Sequence, residues 1–141
     1  MRRTATICFV ALSLAACTTS AAIEVRDAVI AVPAGPATAM YFEITNTGDA
    51  PDRLVGVESE IGIAELHRSY FEGELMHMER VREVIVGGGE VVVFAPGGLH
   101  IMLFEVAELE AGHTAAVTLE FETAGKIEVE GRVVPYAEVA P

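Results

Sequence analysis

From Ile23 onward the chain alternates short apolar runs with turn residues, and within the runs apolar and polar positions alternate with a period of two. The stretch from Thr114 to Glu122 shows it most clearly. Ala115, Val117, Leu119 and Phe121 fall on one side, and Thr118, Glu120 and Glu122 on the other. The same reading predicts strands over Glu24–Val32, Thr38–Thr45, Arg53–Glu58, Ala64–Phe71, Glu74–Val81, Glu90–Ala95, Leu99–Val106, Thr114–Glu122 and Lys126–Val134. Breakers separate many of them, among them Pro33-Ala34-Gly35-Pro36, Gly87-Gly88-Gly89, Pro96-Gly97-Gly98 and Thr123-Ala124-Gly125. No stretch keeps helical periodicity beyond two turns, so the expected class is an all-β sandwich or barrel in a single domain. There is no internal repeat.

Two strands carry something other than packing. In Leu99-His100-Ile101-Met102-Leu103 the odd positions are aliphatic and the even ones are His and Met. Residues i and i+2 share a face, so His100 and Met102 point together while their neighbours turn to the core. Upstream, Glu72-Gly73 is the turn signal between two strand-like runs and predicts a hairpin. A turn centred there sets Phe71 opposite Glu74, Ser69 opposite Met76 and His67 opposite Met78. Directly opposed side chains have Cβ atoms roughly 4.5–5.5 Å apart, close enough to hold one ion between them. Two imidazoles and two thioethers suit a soft monovalent metal, above all Cu(I), and suit zinc, magnesium or calcium poorly. Before His100, the glycines of Pro96-Gly97-Gly98 offer a sharp turn that brings His100 and Met102 toward the hairpin.

The first residues follow another logic. Arg2 and Arg3 precede an apolar run from Ile7 to Ala16 that is too short to span a membrane, which needs about 20 residues. It ends in Leu14-Ala15-Ala16-Cys17, which looks like a bacterial lipobox, so residues 1–16 are expected to be a signal peptide and Cys17 a lipidated residue. Residues 17–22 then form a short tether and 23–141 the β domain. The alternative is an ordinary signal peptide cut after Ala21 or Ala22. Thr18 and Thr19 after the cysteine favour the outer membrane under bacterial sorting rules. Either way, the folded domain has neither a thiol nor a disulfide, because Cys8 and Cys17 are the two cysteines. Thioether and imidazole donors avoid the disulfide loss that threatens thiolate sites in an oxidising compartment.

Charge narrows the partners. Cleavage before Cys17 removes Arg2 and Arg3 from nine basic residues, leaving seven against 21 acidic ones, a formal charge of −14. Such a surface repels nucleic acid and anionic lipid. Its simplest consequence is solubility, and attraction of cations or of a basic partner patch is a second. The membrane is therefore expected to be met by lipid anchor only, and the protein to be a monomer. The acids form no acid/base pair, the glycines at 87–89 lead into a strand rather than a phosphate-binding helix, and no Ser/His/Asp arrangement has a nucleophile turn. An enzyme is not expected.

The spacing His67-x10-Met78-x21-His100-x-Met102 resembles the full metal motif of the PCu(A)C family of periplasmic copper chaperones. The surroundings agree: Ala39-Met40-Tyr41-Phe42 before Thr45-Asn46, then Asp52-Arg53-Leu54-Val55, Glu65-Leu66-His67, Gly97-Gly98-Leu99-His100-Ile101-Met102-Leu103, Leu119-Glu120-Phe121 and Gly125-Lys126. The resemblance covers about residues 24–134. It implies a cupredoxin-like Greek-key β-barrel or sandwich that binds one Cu(I) through His67, Met78, His100 and Met102. It also implies delivery to a copper-accepting protein such as the CuA subunit of cytochrome c oxidase or its assembly factors. Some relatives add a His/Met-rich C-terminal tail with a second, Cu(II)-type site; residues 133–141 contain neither residue, so one ion per chain is implied. Copper sequestration without an acceptor, and a metal-free envelope interaction module, stay open at this point.

Other candidates read as follows. His77 is placed opposite Arg68, on the face away from Met78. Met76 shares Met78's face and is either packing or a spare thioether. Met40 reads as core and His113 as a solvated turn residue. Glu65 and Ser69 flank His67 on its own face, where either a solvated polar surface or an orienting hydrogen bond to the imidazole is expected.

Overall fold

The computed structural model describes residues 22–139; the expected signal peptide and the Cys17 lipidation site lie outside the described residues. Ten strands follow one another: β1 (Ile23–Ala31), β2 (Ala37–Asn46), β3 (Asp52–Ser59), β4 (Ile63–Glu72), β5 (Leu75–Arg80), β6 (Val84–Val86), β7 (Val91–Phe94), β8 (Leu99–Phe104), β9 (Thr114–Phe121) and β10 (Gly125–Val134), then a single helical turn, α1 (Tyr136–Val139). The nine strands expected from alternation are present, with ends moved by one or two residues. Two elements were not expected. β6 has only three residues, too few for a period to register, and α1 is one turn long. The strand expected to run to Val106 stops at Phe104, because Glu105 takes a positive φ of 56° that interrupts the pleat.

All ten strands join in one sheet, in the order β5-β4-β8-β7-β2-β1-β10-β9-β3-β6, with β8 also paired to β2. Neighbours run antiparallel except β1 with β10 and β7 with β8. The sheet folds over on itself, and its apolar positions meet in a single cluster. Met40, Phe42 and Ile44 of β2, Ile101 and Leu103 of β8, Leu54 of β3, Val84 and Val86 of β6, and Val117, Leu119 and Phe121 of β9 are all buried in it. This is the expected all-β Greek-key sandwich, and Met40 is core as expected.

Two buried polar side chains close the sandwich. Asn46, at the end of β2, donates from Nδ2 to the carbonyls of Ala50 (2.7 Å) and Val86 (3.1 Å). Its Oδ1 accepts from the backbone N–H of Gly48 and Ala22. One side chain thereby ties the middle of the strand order to its far end at β6. Asp52, at the start of β3, accepts three backbone N–H bonds, from Arg53 (2.8 Å), Thr123 (2.9 Å) and Ala124 (2.8 Å). Burial alone would raise its carboxyl, but these donors outweigh it and hold the group below the usual carboxylate range.

β7 and β8 are two pieces of one strand track along β2. Phe42 pairs with Phe94 and Met40 with Ile101, so residues 95–98 are an excursion from a nearly continuous ladder. The excursion is a tight turn in which the Gly98 N–H donates to the Ala95 carbonyl at 3.0 Å. Pro96 supplies its second position and Gly97, at φ +79°, its third, the residues a type II turn requires. β8 emerges from it between β2 and β4.

Candidate metal centre

The centre lies where β8 meets the β4–β5 hairpin. β4 and β8 pair with His67 opposite His100, Glu65 opposite Met102 and Leu66 opposite Ile101. Leu66 and Ile101 are buried in the core, so alternation turns both imidazoles, Glu65 and Met102 to the other face. The expected split of β8 into a packing side and a donor side is therefore present. The imidazole centroids of His67 and His100 are 6.0 Å apart.

The hairpin register differs from expectation by two residues. Met78 lies opposite Ser69, not His67; His67 faces Arg80; and Met76 faces Phe71, not Ser69. The loop is Gly73-Glu74 rather than Glu72-Gly73, with Glu72 and Leu75 as the closing pair. Only the first loop residue, Gly73 at φ +65°, has a positive φ, the pattern of a II′ hairpin turn with glycine first. Centring the loop one residue earlier would place Glu72 in that first position, where the primed turns demand positive φ and a side chain is strained. A slip of two leaves every side chain on its original face. Met78 therefore still shares a face with His67, diagonally rather than directly. His77, expected opposite Arg68, lies opposite Tyr70 and stacks on its ring at 5.5 Å, on the face away from Met78 as expected. His113 is exposed in its turn.

Met78 meets the centre through its sulfur: His100 Nε2 is 3.2 Å from Met78 Sδ. The other nitrogen of His100, Nδ1, donates to the Gly98 carbonyl at 3.0 Å. That carbonyl also accepts the Ser69 N–H (2.9 Å), so the 95–98 turn holds the imidazole and pins β4 at once. His100 is only 4% exposed. Burial pushes its pKa down, the Gly98 carbonyl opposes that, and the neighbouring His67 adds to the depression. The ring is thus neutral at pH 7. With its proton on Nδ1, Nε2 presents a lone pair to a sulfur that also has only lone pairs to offer. No hydrogen bridges them, and a soft cation is what satisfies both.

His67 is oriented by a different device. Its Nε2 is 3.0 Å from Glu65 Oε2, and the other oxygen of Glu65 is 3.1 Å from Arg80 Nη1. The hydrogen bond from His67, together with the Arg80 charge, holds the Glu65 carboxyl below its usual range against the opposing effect of burial. An ionised carboxylate only accepts, so the His67 proton sits on Nε2 and Nδ1 has the free pair. Nδ1 is buried and has no hydrogen-bond partner, alone in this among the described residues. An orphaned imidazole nitrogen of this kind is costly unless something fills its place. Of the two expectations for Glu65, the orienting bond is the one realised. Ser69 contributes its backbone instead.

The four expected residues thus gather at one place: His67 and His100 as facing partners, Met102 on their face in β8, and Met78 at the outer side against His100. The donor atoms His67 Nδ1, His100 Nε2 and Met78 Sδ, none of them given a proton to share, make the set fit a soft cation. Three neighbours were missed in the sequence. Arg80 braces Glu65, Tyr41 lies 6.2 Å from the His100 ring and Phe104 5.8 Å from the His67 ring. Arg80 had no signal because its place depends on the two-residue slip. Phe104 had a weak one, two residues after Met102 on the same face.

The sandwich is of the kind found in solved PCuAC domains. Similar solved structures include the copper-bound PCuAC domain from PmoF2 (26% identity, TM-score 0.68, covering 80% of this chain and 92% of that one). The apo PCuAC domain from PmoF1 is also similar (27%, 0.68, covering 80% and 93%). So is the Cu(I) form of DR1885 from Deinococcus radiodurans (26%, 0.61, covering 75% and 74%). No curated protein sequence matches significantly. Residues 23–133 match the LpqE-like family, which is described as a lipoprotein family, and the chain belongs to it.

Proposed function

We propose that this protein binds one Cu(I) through His67, Met78, His100 and Met102, and carries it to a copper-accepting partner in the bacterial envelope. The observation that carries the reading is the contact of His100 Nε2 with Met78 Sδ at 3.2 Å, a neutral imidazole lone pair against a thioether with no proton between them. Copper bound to the PmoF2 domain and Cu(I) bound to DR1885 support it. The ion is cargo. Both imidazoles and both thioethers are uncharged donors, and the Glu65 carboxylate beside His67 offsets the positive charge without ligating. Neutral thioethers hold Cu(I) less tightly than thiolates, so stepwise ligand exchange suits release to a partner, of which the CuA centre of cytochrome c oxidase is the one the motif resemblance favours.

The place is the cell envelope, with lipid at Cys17 as the tether to the outer membrane; membership of a lipoprotein family supports the anchor. No described helix is long and apolar enough to cross a membrane.

Titrating the purified protein anaerobically against a chromogenic Cu(I) competitor tests the reading. The parent is expected to take one tight equivalent. A Met78→Ala/Met102→Ala variant should lose about a hundredfold or more in affinity, roughly 2.7 kcal/mol, with its fold unchanged. Equal uptake by both proteins, or none by the parent, overturns it.

A further inference from the structure

Beyond the four donors, a fifth soft donor lies in line with them. Met76 is two residues from Met78 on the same face of β5, and its partner across the ladder is Phe71, two residues beyond Ser69. Exposure rises along this line: His100 is 4% exposed, Met78 53% and Met76 59%. β5 is the outermost strand of its edge, and none of its six residues is buried. Packing therefore gives no reason for a methionine at 76, where the flanking Leu75 shows that an aliphatic residue is equally at home.

We propose that Met76 is a transfer ligand, the donor that copper takes up as it leaves the centre. The inference rests on the Cu(I) reading given above. Same-face neighbours on a strand are spaced by about 7 Å of backbone. Methionine has three rotatable bonds and a polarizable sulfur, so the Met76 thioether reaches an ion held at Met78. In the step, a Cu–S bond to Met76 forms as the Cu–S bond to Met102 breaks. The ion stays Cu(I), and no electron or proton moves because both thioethers are neutral. Copper is then held by His67, His100, Met78 and Met76, with Met102 released and the ion drawn toward the exposed end of the hairpin. An acceptor meets it there without the ion entering water.

The test uses the processed protein, in which Met40, Met76, Met78 and Met102 are the remaining methionines once the leader with Met1 is removed. Stopped-flow transfer of Cu(I) to bathocuproine disulfonate is compared between the parent and Met76→Leu. Transfer from the variant is expected to slow about tenfold, the effect of about 1.4 kcal/mol on a barrier, while equilibrium affinity changes less than about twofold. In parallel, the parent labelled with [methyl-13C]methionine is loaded with Cu(I). The Met78 and Met102 methyl signals should shift, the Met76 methyl should broaden by exchange, and Met40 should stay put. Unchanged transfer by Met76→Leu, or a Met76 methyl indifferent to copper, overturns the proposal while leaving the four-donor centre standing. A large loss of equilibrium affinity in Met76→Leu also overturns it, since Met76 would then be a resident ligand. A parent that takes up no copper fails at the earlier reading, and this one falls with it.

Discussion

β9 and β5 are both regular strands, yet they hold their residues for opposite reasons. In β9 every second side chain, from Ala115 to Phe121, is buried, and the strand is flanked on both sides by β10 and β3. In β5 no side chain is buried and one edge has no neighbouring strand. Both are rich in apolar atoms. Burial accounts for those of β9. The apolar residues about the hairpin, Phe71 at 63% exposed and Leu75 at 68%, make no core, and the proposed function accounts for the methionines beside them by what sulfur binds. In the proposed reading Met78, on this exposed edge strand, is the donor free to open, while His100 stays fixed in the interior.

The contrast can be broken from the β9 side first. Leu119→Ala removes a fully buried side chain from the centre of the core and is expected to cost about 2–5 kcal/mol, read by urea unfolding. A loss below about 1 kcal/mol would mean that the core does not rest on this strand. Next in size is Asp52→Asn, at the start of the neighbouring β3. Asparagine keeps one acceptor oxygen for Arg53 and Thr123 but loses the charge and the bond from Ala124, which should cost about 2 kcal/mol at neutral pH. The sign of its pH dependence follows from the depressed pKa. The parent has this stability in full above the unfolded-state pKa and loses it as pH falls through the lower folded-state value. The gap between parent and variant should therefore close in acid; a constant gap would show that the carboxylate's charge is not what matters. Smallest is Phe71→Ser at the hairpin, expected to stay within about 0.5 kcal/mol of the parent. A larger loss would show that the hairpin packs against something, and the contrast between the two strands would fail.

How much of this was legible beforehand depends on parity. Alternation reports which face a residue occupies, so the core side of Thr114–Phe121, the donor side of His100 and Met102, and the shared face of His67 and Met78 were all readable. It does not report register, because a slip of two residues leaves every face unchanged. The hairpin slipped by two for a local reason, the demand for positive φ at the first loop position, which glycine meets and glutamate does not. Arg80 therefore took the place facing His67, and its bond to Glu65 could not be foreseen. β6 was too short to show a period.

The amino-acid order alone thus sufficed for the class of fold, the two-sided strands and the choice of soft donors, since each of these is a property of neighbours one, two or three positions apart. Contacts between distant segments required the folded chain. The excursion at 95–98 delivers β8 between β2 and β4, sets His100 against His67, and lets one carbonyl, that of Gly98, take both the Ser69 N–H and the His100 proton. Burial lowers the His100 pKa against the opposing effect of that hydrogen bond, while the bond itself keeps the proton on Nδ1 and leaves Nε2 free; no local pattern contains that information, because it comes from packing segments some thirty residues apart into one low-dielectric corner.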